Sequence, residues 1–135
     1  MLGRDGHFRH EGQPIRHERL RRVLERGVRY LDEEAAWVVQ LGHFRGQIEI
    51  EDAPFFVETY DAKTAVIALS DRTEERLAPE TLEVRTDDVL YCRVKGRFDA
   101  RFTRTAQAML LDAIEFLDDR PALRVGAARF QLPKL

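Results

Sequence analysis

Residues 17–33 read His-Glu-Arg-Leu-Arg-Arg-Val-Leu-Glu-Arg-Gly-Val-Arg-Tyr-Leu-Asp-Glu. Within them Leu20, Val23, Leu24, Gly27, Val28 and Leu31 fall at i, i+3, i+4, i+7, i+8 and i+11, the apolar stripe of a helix with one face on a core. The spacing predicts a helix from His17 to Leu31. Ala106, Met109, Leu110, Ala113, Ile114 and Leu117 repeat the pattern 86 residues further on. The ends also match, Tyr30-Leu31-Asp32-Glu33 against Phe116-Leu117-Asp118-Asp119. Each segment follows a hairpin-like stretch (Phe8 to Ile15; Leu90 to Phe102) and precedes two short strand-like runs. Gly12 and Gly96, like Gly42 and Gly126, stand 84 residues apart, so the two stretches differ by small surface insertions. The expectation is an α+β fold of two tandem hairpin-helix-hairpin repeats, antiparallel sheets each packed on one amphipathic helix. The repeats span about 6–69 and 82–135 of a single domain, 1–135, and a polar loop, 70–81, joins them.

With 135 residues the chain is long enough to bury a core without covalent staples. A content of 44% hydrophobic and 34% charged residues excludes a disordered chain. The net charge of -2 gives no field that would draw nucleic acid or an anionic membrane, so neither is an expected partner. The lone Cys92 excludes an intramolecular disulfide and argues against a cysteine-built metal site. No apolar run reaches the roughly 18 residues of a membrane span. The charged start Met1-Leu2-Gly3-Arg4-Asp5 is not followed by a signal-peptide core, and a cytoplasmic protein is expected.

Strands are expected at His7–His10, Ala36–Leu41, Phe44–Glu51, Phe55–Tyr60, Thr64–Leu69, Leu82–Val84, Val89–Val94 and Phe98–Phe102. In Val89–Val94 the residues Leu90, Cys92 and Val94 share one side, and Tyr91, Arg93 and Lys95 the other. Across the Lys95-Gly96 turn, Phe98, Ala100 and Phe102 alternate with Arg97, Asp99 and Arg101. Thr103 is a good N-cap for the second helix, whereas the first has no Ser, Thr or Asp in that place.

Phe8-Arg9-His10-Glu11-Gly12-Gln13-Pro14-Ile15, Ile48-Glu49-Ile50-Glu51-Asp52-Ala53-Pro54-Phe55, and Leu90-Tyr91-Cys92-Arg93-Val94 followed by Asp99-Ala100 and Thr103-Arg104 together resemble the bacterial family of domain of unknown function 1285 (DUF1285). The contiguous Glu-Asp-Ala-Pro-Phe is the most specific of these, and the loop 70–81 is the least like the family. The resemblance implies an α+β fold of two tandem repeats and a role in signal transduction. It brings no reaction and no catalytic residues.

Glu51 and Asp52 place two carboxylates at a strand end, where a cation, a guanidinium or a hydroxyl-rich ligand can bind. Their structural alternative is a bend at Pro54 capped by Asp52, with Glu51 paired to an arginine such as Arg104. Neighbours on a strand point to opposite faces, which counts against an acid/base dyad. His7, His10, His17 and His43 have no metal-ligand spacing with a third donor. Cys92 lies in an apolar period and reads as a small buried hydrophobe. No phosphate-binding glycine loop or nucleophile elbow is present.

These features point to a non-catalytic binding module that takes a small polar ligand or a protein partner and needs no cofactor or metal. The expected ligand-binding residues are His10, Glu51, Asp52, Phe55, Tyr91, Arg93 and Arg104, set at a groove between the repeats. A small enzyme using Glu51, Asp52 and His10 is the rival class. A third class is an interaction subunit or homodimer that binds through the arginine face Arg19, Arg22, Arg26 and Arg29.

Overall fold

The computed structural model describes residues 1–132 and divides into two compact units, Met1–Pro54 with Ser70–Arg72, and Phe55–Leu69 with the chain from Thr73 onward. Positions 133–135, the end of the expected second repeat, lie outside the described residues. The architecture is α+β, mostly antiparallel sheet with two α-helices among the described residues. None of the helices described is long and apolar enough to cross a membrane.

In the first unit, β1 (Arg9–His10) and β2 (Gln13–Pro14) form a hairpin. It closes through Glu11 and Gly12 at φ 51° and 81°, the left-handed region that glycine enters without cost. Helix α1 (Glu18–Arg26) follows, then a meander of β3 (Val28–Leu31), β4 (Ala36–Leu41) and β5 (Phe44–Gln47). Leu2 ties the N-terminus down, bridging to Phe8 and to Ile50.

The helix expected to Leu31 therefore stops at Arg26. Gly27 ends it, and the Gly27 carbonyl accepts from the Gln40 amide at 2.8 Å. Val28 and Tyr30 then pair with Val39 and Trp37. β-Branched and aromatic side chains suit a pleated pair better than another helical turn, so the last members of the stripe belong to a strand. No residue of α1 is buried. Its N-cap, which the sequence left unassigned, is the His17 imidazole, whose Nδ1 accepts from the Leu20 amide at 3.2 Å.

The second unit holds β6 (Phe55–Tyr60), β7 (Val66–Leu69), β8 (Glu74–Arg76), β9 (Glu83–Arg85), β10 (Val89–Val94) and β11 (Phe98–Phe102) in one sheet. The order is β8-β7-β6-β11-β10-β9, and only the β6/β11 pair is parallel. Segment 70–81, expected as a loop, contains β8 and a 3-10 turn at Pro79–Thr81. A three-residue strand is too short to show alternation, and it is fixed instead by pairing with β7 and by Leu77, whose amide donates to the Ala65 carbonyl at 2.8 Å.

Helix α2 (Arg104–Asp112) packs on β6 and β11 and buries Ala106 and Leu110. The Thr103 hydroxyl caps it, accepting from the Ala106 amide at 3.1 Å. It too stops short of the expected Leu117, because Ile114–Leu117 is β12 of a meander with β13 (Arg120–Val125) and β14 (Ala128–Gln131). The Ala113 carbonyl accepts from Arg124 at 2.8 Å, the same bond that Gly27 makes with Gln40.

Candidate functional site

Strand β10 sets the polar face of the six-stranded sheet. Leu90, Cys92 and Val94 are buried in a row with Ala100 and Phe102 of β11, which leaves Tyr91 and Arg93 on the opposite face. Antiparallel pairing places Arg101 opposite Tyr91 and Asp99 opposite Arg93, while on the other flank Glu83 pairs with Tyr91 and Arg85 with Val89. Three guanidiniums, one phenol and two carboxylates thus share one face of three strands.

Their geometry is tightly defined. The Arg85 guanidinium lies 4.1 Å from the Tyr91 ring centroid and donates to the Asp99 carboxylate at 3.1 Å. Arg93 brings its Nε within 3.6 Å of the other Asp99 oxygen. Arg101 sits 5.8 Å from the Tyr91 ring centroid and donates to its hydroxyl at 3.1 Å. Burial opposes the charge on Arg85, but its hydrogen bonds to Glu83 and Asp99 prevail and raise its pKa. Tyr91 itself is buried, held between cations, a contact worth about 0.5–2 kcal/mol per pair. The arrangement is a preorganised array of planar donors. Arg93, the most exposed of the side chains around Asp99, also reaches the Arg97 carbonyl at 3.3 Å.

Of the expected ligand-binding residues, Tyr91 and Arg93 belong to this cluster. Phe55 lies in the row of Ala100 and Cys92, on the other side of the sheet. Its ring meets Phe98 at 6.1 Å and lies 5.1 Å from the Lys95 ammonium. Arg104 is exposed at the first turn of α2. His10, Glu51 and Asp52 lie in the first unit. His10 is exposed on its hairpin, 3.9 Å from the Glu11 carboxylate.

Glu51 is paired with Arg4, not Arg104. Its carboxylate accepts from the Arg4 backbone amide at 2.9 Å and from Nε at 3.1 Å, and these bonds hold its pKa below the usual carboxylate range. Arg85, Asp99 and Arg101 were missed by the sequence reading. For Asp99 and Arg101 the signal is the Lys95-Gly96 turn, which sets the register that puts Asp99 beside Arg93 and Arg101 beside Tyr91. Arg85 is brought in by the separate β9/β10 pairing.

Among the described residues no three His, Cys, Asp or Glu side chains converge as metal ligands. Burial pushes the Cys92 thiol up to about 12, the reverse of what a nucleophilic cysteine needs.

The chain is similar over 99% of its length, and over 79% of the other chain, to the crystal structure of a DUF1285 family protein from Silicibacter pomeroyi DSS-3, with 16% identity and a TM-score of 0.64. A second DUF1285 family protein, from Shewanella baltica OS155, matches over 76% of this chain and 82% of its own, with 13% identity and a TM-score of 0.54. Neither a family model nor a curated protein matches the sequence. The fold is that of these two proteins.

Proposed function

We propose, on the premise of a fold shared with two DUF1285 family proteins, that this chain is a non-catalytic binding module whose recognition face is the Arg85, Tyr91, Arg93, Asp99 and Arg101 cluster. The observation that carries the reading is Asp99, gripped by two guanidiniums while a third is fixed on the Tyr91 hydroxyl. A ligand carboxylate or phosphate, or an acidic side chain of a partner, can take over the exposed fork of Arg93 in the way Asp99 already uses its Nε. Planar forks suit such groups, and their prior alignment lowers the entropy lost on binding. Supporting a binding rather than a catalytic role, Glu51 is stabilised in its ionised form and Cys92 as the neutral thiol, so neither is tuned for proton transfer or attack. A place in signal transduction, which the family resemblance implies, suits a module that senses a ligand without converting it.

Isothermal titration against nucleotides and small organic acids tests the proposal. One of these compounds is expected to bind the native chain and to lose at least about tenfold in affinity in Arg93→Ala, which equals about 1.4 kcal/mol. Asp52→Ala serves as the comparison from the first unit. Unchanged affinity in Arg93→Ala would remove this face from the claim, and loss in Asp52→Ala alone would move the site to the first unit.

We further propose that the α-helix and meander of each unit descend from one duplicated element. Both helices span nine residues, and both are followed by strands of four, six and four. The offset between the two sets changes from 86 to 84 where the loop 32–35 of the first meander meets the shorter turn 118–119 of the second.

A further inference from the structure

Helix α1 carries its charges unequally. Arg22 pairs with Glu18 at 2.9 Å and Arg21 with Glu25 at 3.2 Å, while Arg29 donates to the carbonyls of Arg26 and Val28. Arg19 and Arg26 have no acidic partner among the described residues. They fall in line with Val23 at i, i+4 and i+7. Val23 and Arg26 line a groove of about 300 Å³ against Gly27 and the β4 end at Gln40 and Leu41. Val23 is 42% exposed and Leu20, one turn before it, 43%. Arg26 edges this groove and Arg19 stands two turns earlier on the same helical face, outside its lining. An apolar groove with two uncompensated cations along one face calls for an apolar segment carrying two anions.

The chain itself has one. At the end of β12, Phe116 is 72% and Leu117 51% exposed. The next two residues, Asp118 and Asp119, form the hairpin tip at φ 53° and 64°. Glu115 is held by Arg124 and Arg129, but Asp118 and Asp119 have no cationic partner among the described residues. Aspartate tolerates this left-handed backbone better than most residues, so the tip holds both carboxylates beside the exposed apolar pair.

We infer that the chain self-associates, the Phe116–Asp119 tip of one copy docking in the α1 groove of a second, with Asp118 and Asp119 meeting Arg19 and Arg26. Each copy carries both halves, the groove in its first unit and the tip in its second, so the contact needs no other protein. Apolar burial holds the contact, and the charges set its orientation and rate. The inference is independent of the Arg93 face.

Sedimentation velocity over a concentration series tests it, with circular dichroism as the check on folding. The native chain is expected to shift from monomer to dimer as concentration rises, and the shift should weaken with added salt, which screens exposed charges. Arg19→Glu with Arg26→Glu should raise the dissociation constant at least about tenfold. Asp118→Asn with Asp119→Asn, which keeps the turn chemistry, should do the same. Combining Arg19→Glu and Arg26→Glu with Asp118→Lys and Asp119→Lys should restore association at reversed polarity. A monomer at every concentration overturns the inference, as does a dimer that none of these changes weakens. Should the lysine-bearing chain lose its fold, mixing the Arg19→Glu/Arg26→Glu chain with native chain still decides the matter. One-sided docking of the native groove on the variant's intact tip supports the inference, and its absence overturns it.

Discussion

Gly27 and Ala113 occupy the same place after their helices and are handled differently. Both have right-handed φ, -87° and -93°, so the glycine is not required by its torsions. It is required by crowding, since a Cβ there would stand 2.5 Å from the Gln40 carbonyl oxygen and 3.1 Å from Val39 Cγ1. Gly27→Ala is expected to destabilise the chain by about 1–3 kcal/mol in urea unfolding, because backbone must move to admit the methyl. Asp5 supplies a second test at this scale. The hydrogen bond from Arg9, chiefly, lowers its pKa from 3.8 to about 2. The folded value lies below the unfolded one, so the ionised carboxylate stabilises the fold above about pH 4, and that contribution fades as pH falls through about 2. With the Asp5 side chain 47% exposed, the effect should stay under about 1 kcal/mol. Asp5→Asn should therefore be less stable than the native chain at neutral pH, with the difference shrinking as pH falls through about 2 and gone only below it. Cys92, with its thiol raised to about 12, should resist iodoacetamide until the chain unfolds, as read by mass spectrometry.

Among elements, the two helices share a length and differ in anchorage. Leu110 is fully buried, and Leu110→Ala should cost about 2–5 kcal/mol. Leu24, at the equivalent place in α1, is only half-buried, and its truncation should cost less than half as much. Equal losses by chemical denaturation would mean that α1 is as deeply set as α2. The stripe i, i+3, i+4 marked both faces, yet periodicity records only which side is apolar and not how much of it another element covers. The same limit explains the overlong helices. Val28-Arg29-Tyr30-Leu31 continues a 3.6-residue period and also alternates, and the choice went to the strand because β4 was there to pair with it. If the two meanders are equivalent, replacing Asp32–Ala35 by Asp-Asp should leave a cooperatively folded protein. Loss of folding on that exchange would count against common descent.

Across the molecule, burial is concentrated in the six-stranded sheet, where Val57, Ile67, Val94 and Ala100 are completely covered, while the residues of α1 are half-buried or exposed. Native-state hydrogen exchange should find its slowest amides in β6, β10 and β11 and its fastest helical amides in α1. Equal protection of α1 and β10 would contradict that ordering. The amino-acid sequence by itself determined the α+β class, the hairpin turns at Gly12 and Gly96, most strand positions and the polar side of β10, because each depends on neighbours within a few residues. Only the tertiary structure decided where the helices end, that the middle of the chain adds β8 to a sheet, and that the Arg85 guanidinium lies over Tyr91. Those outcomes depend on which strand lies beside which, and a pairing partner leaves no period in the segment that it pairs with.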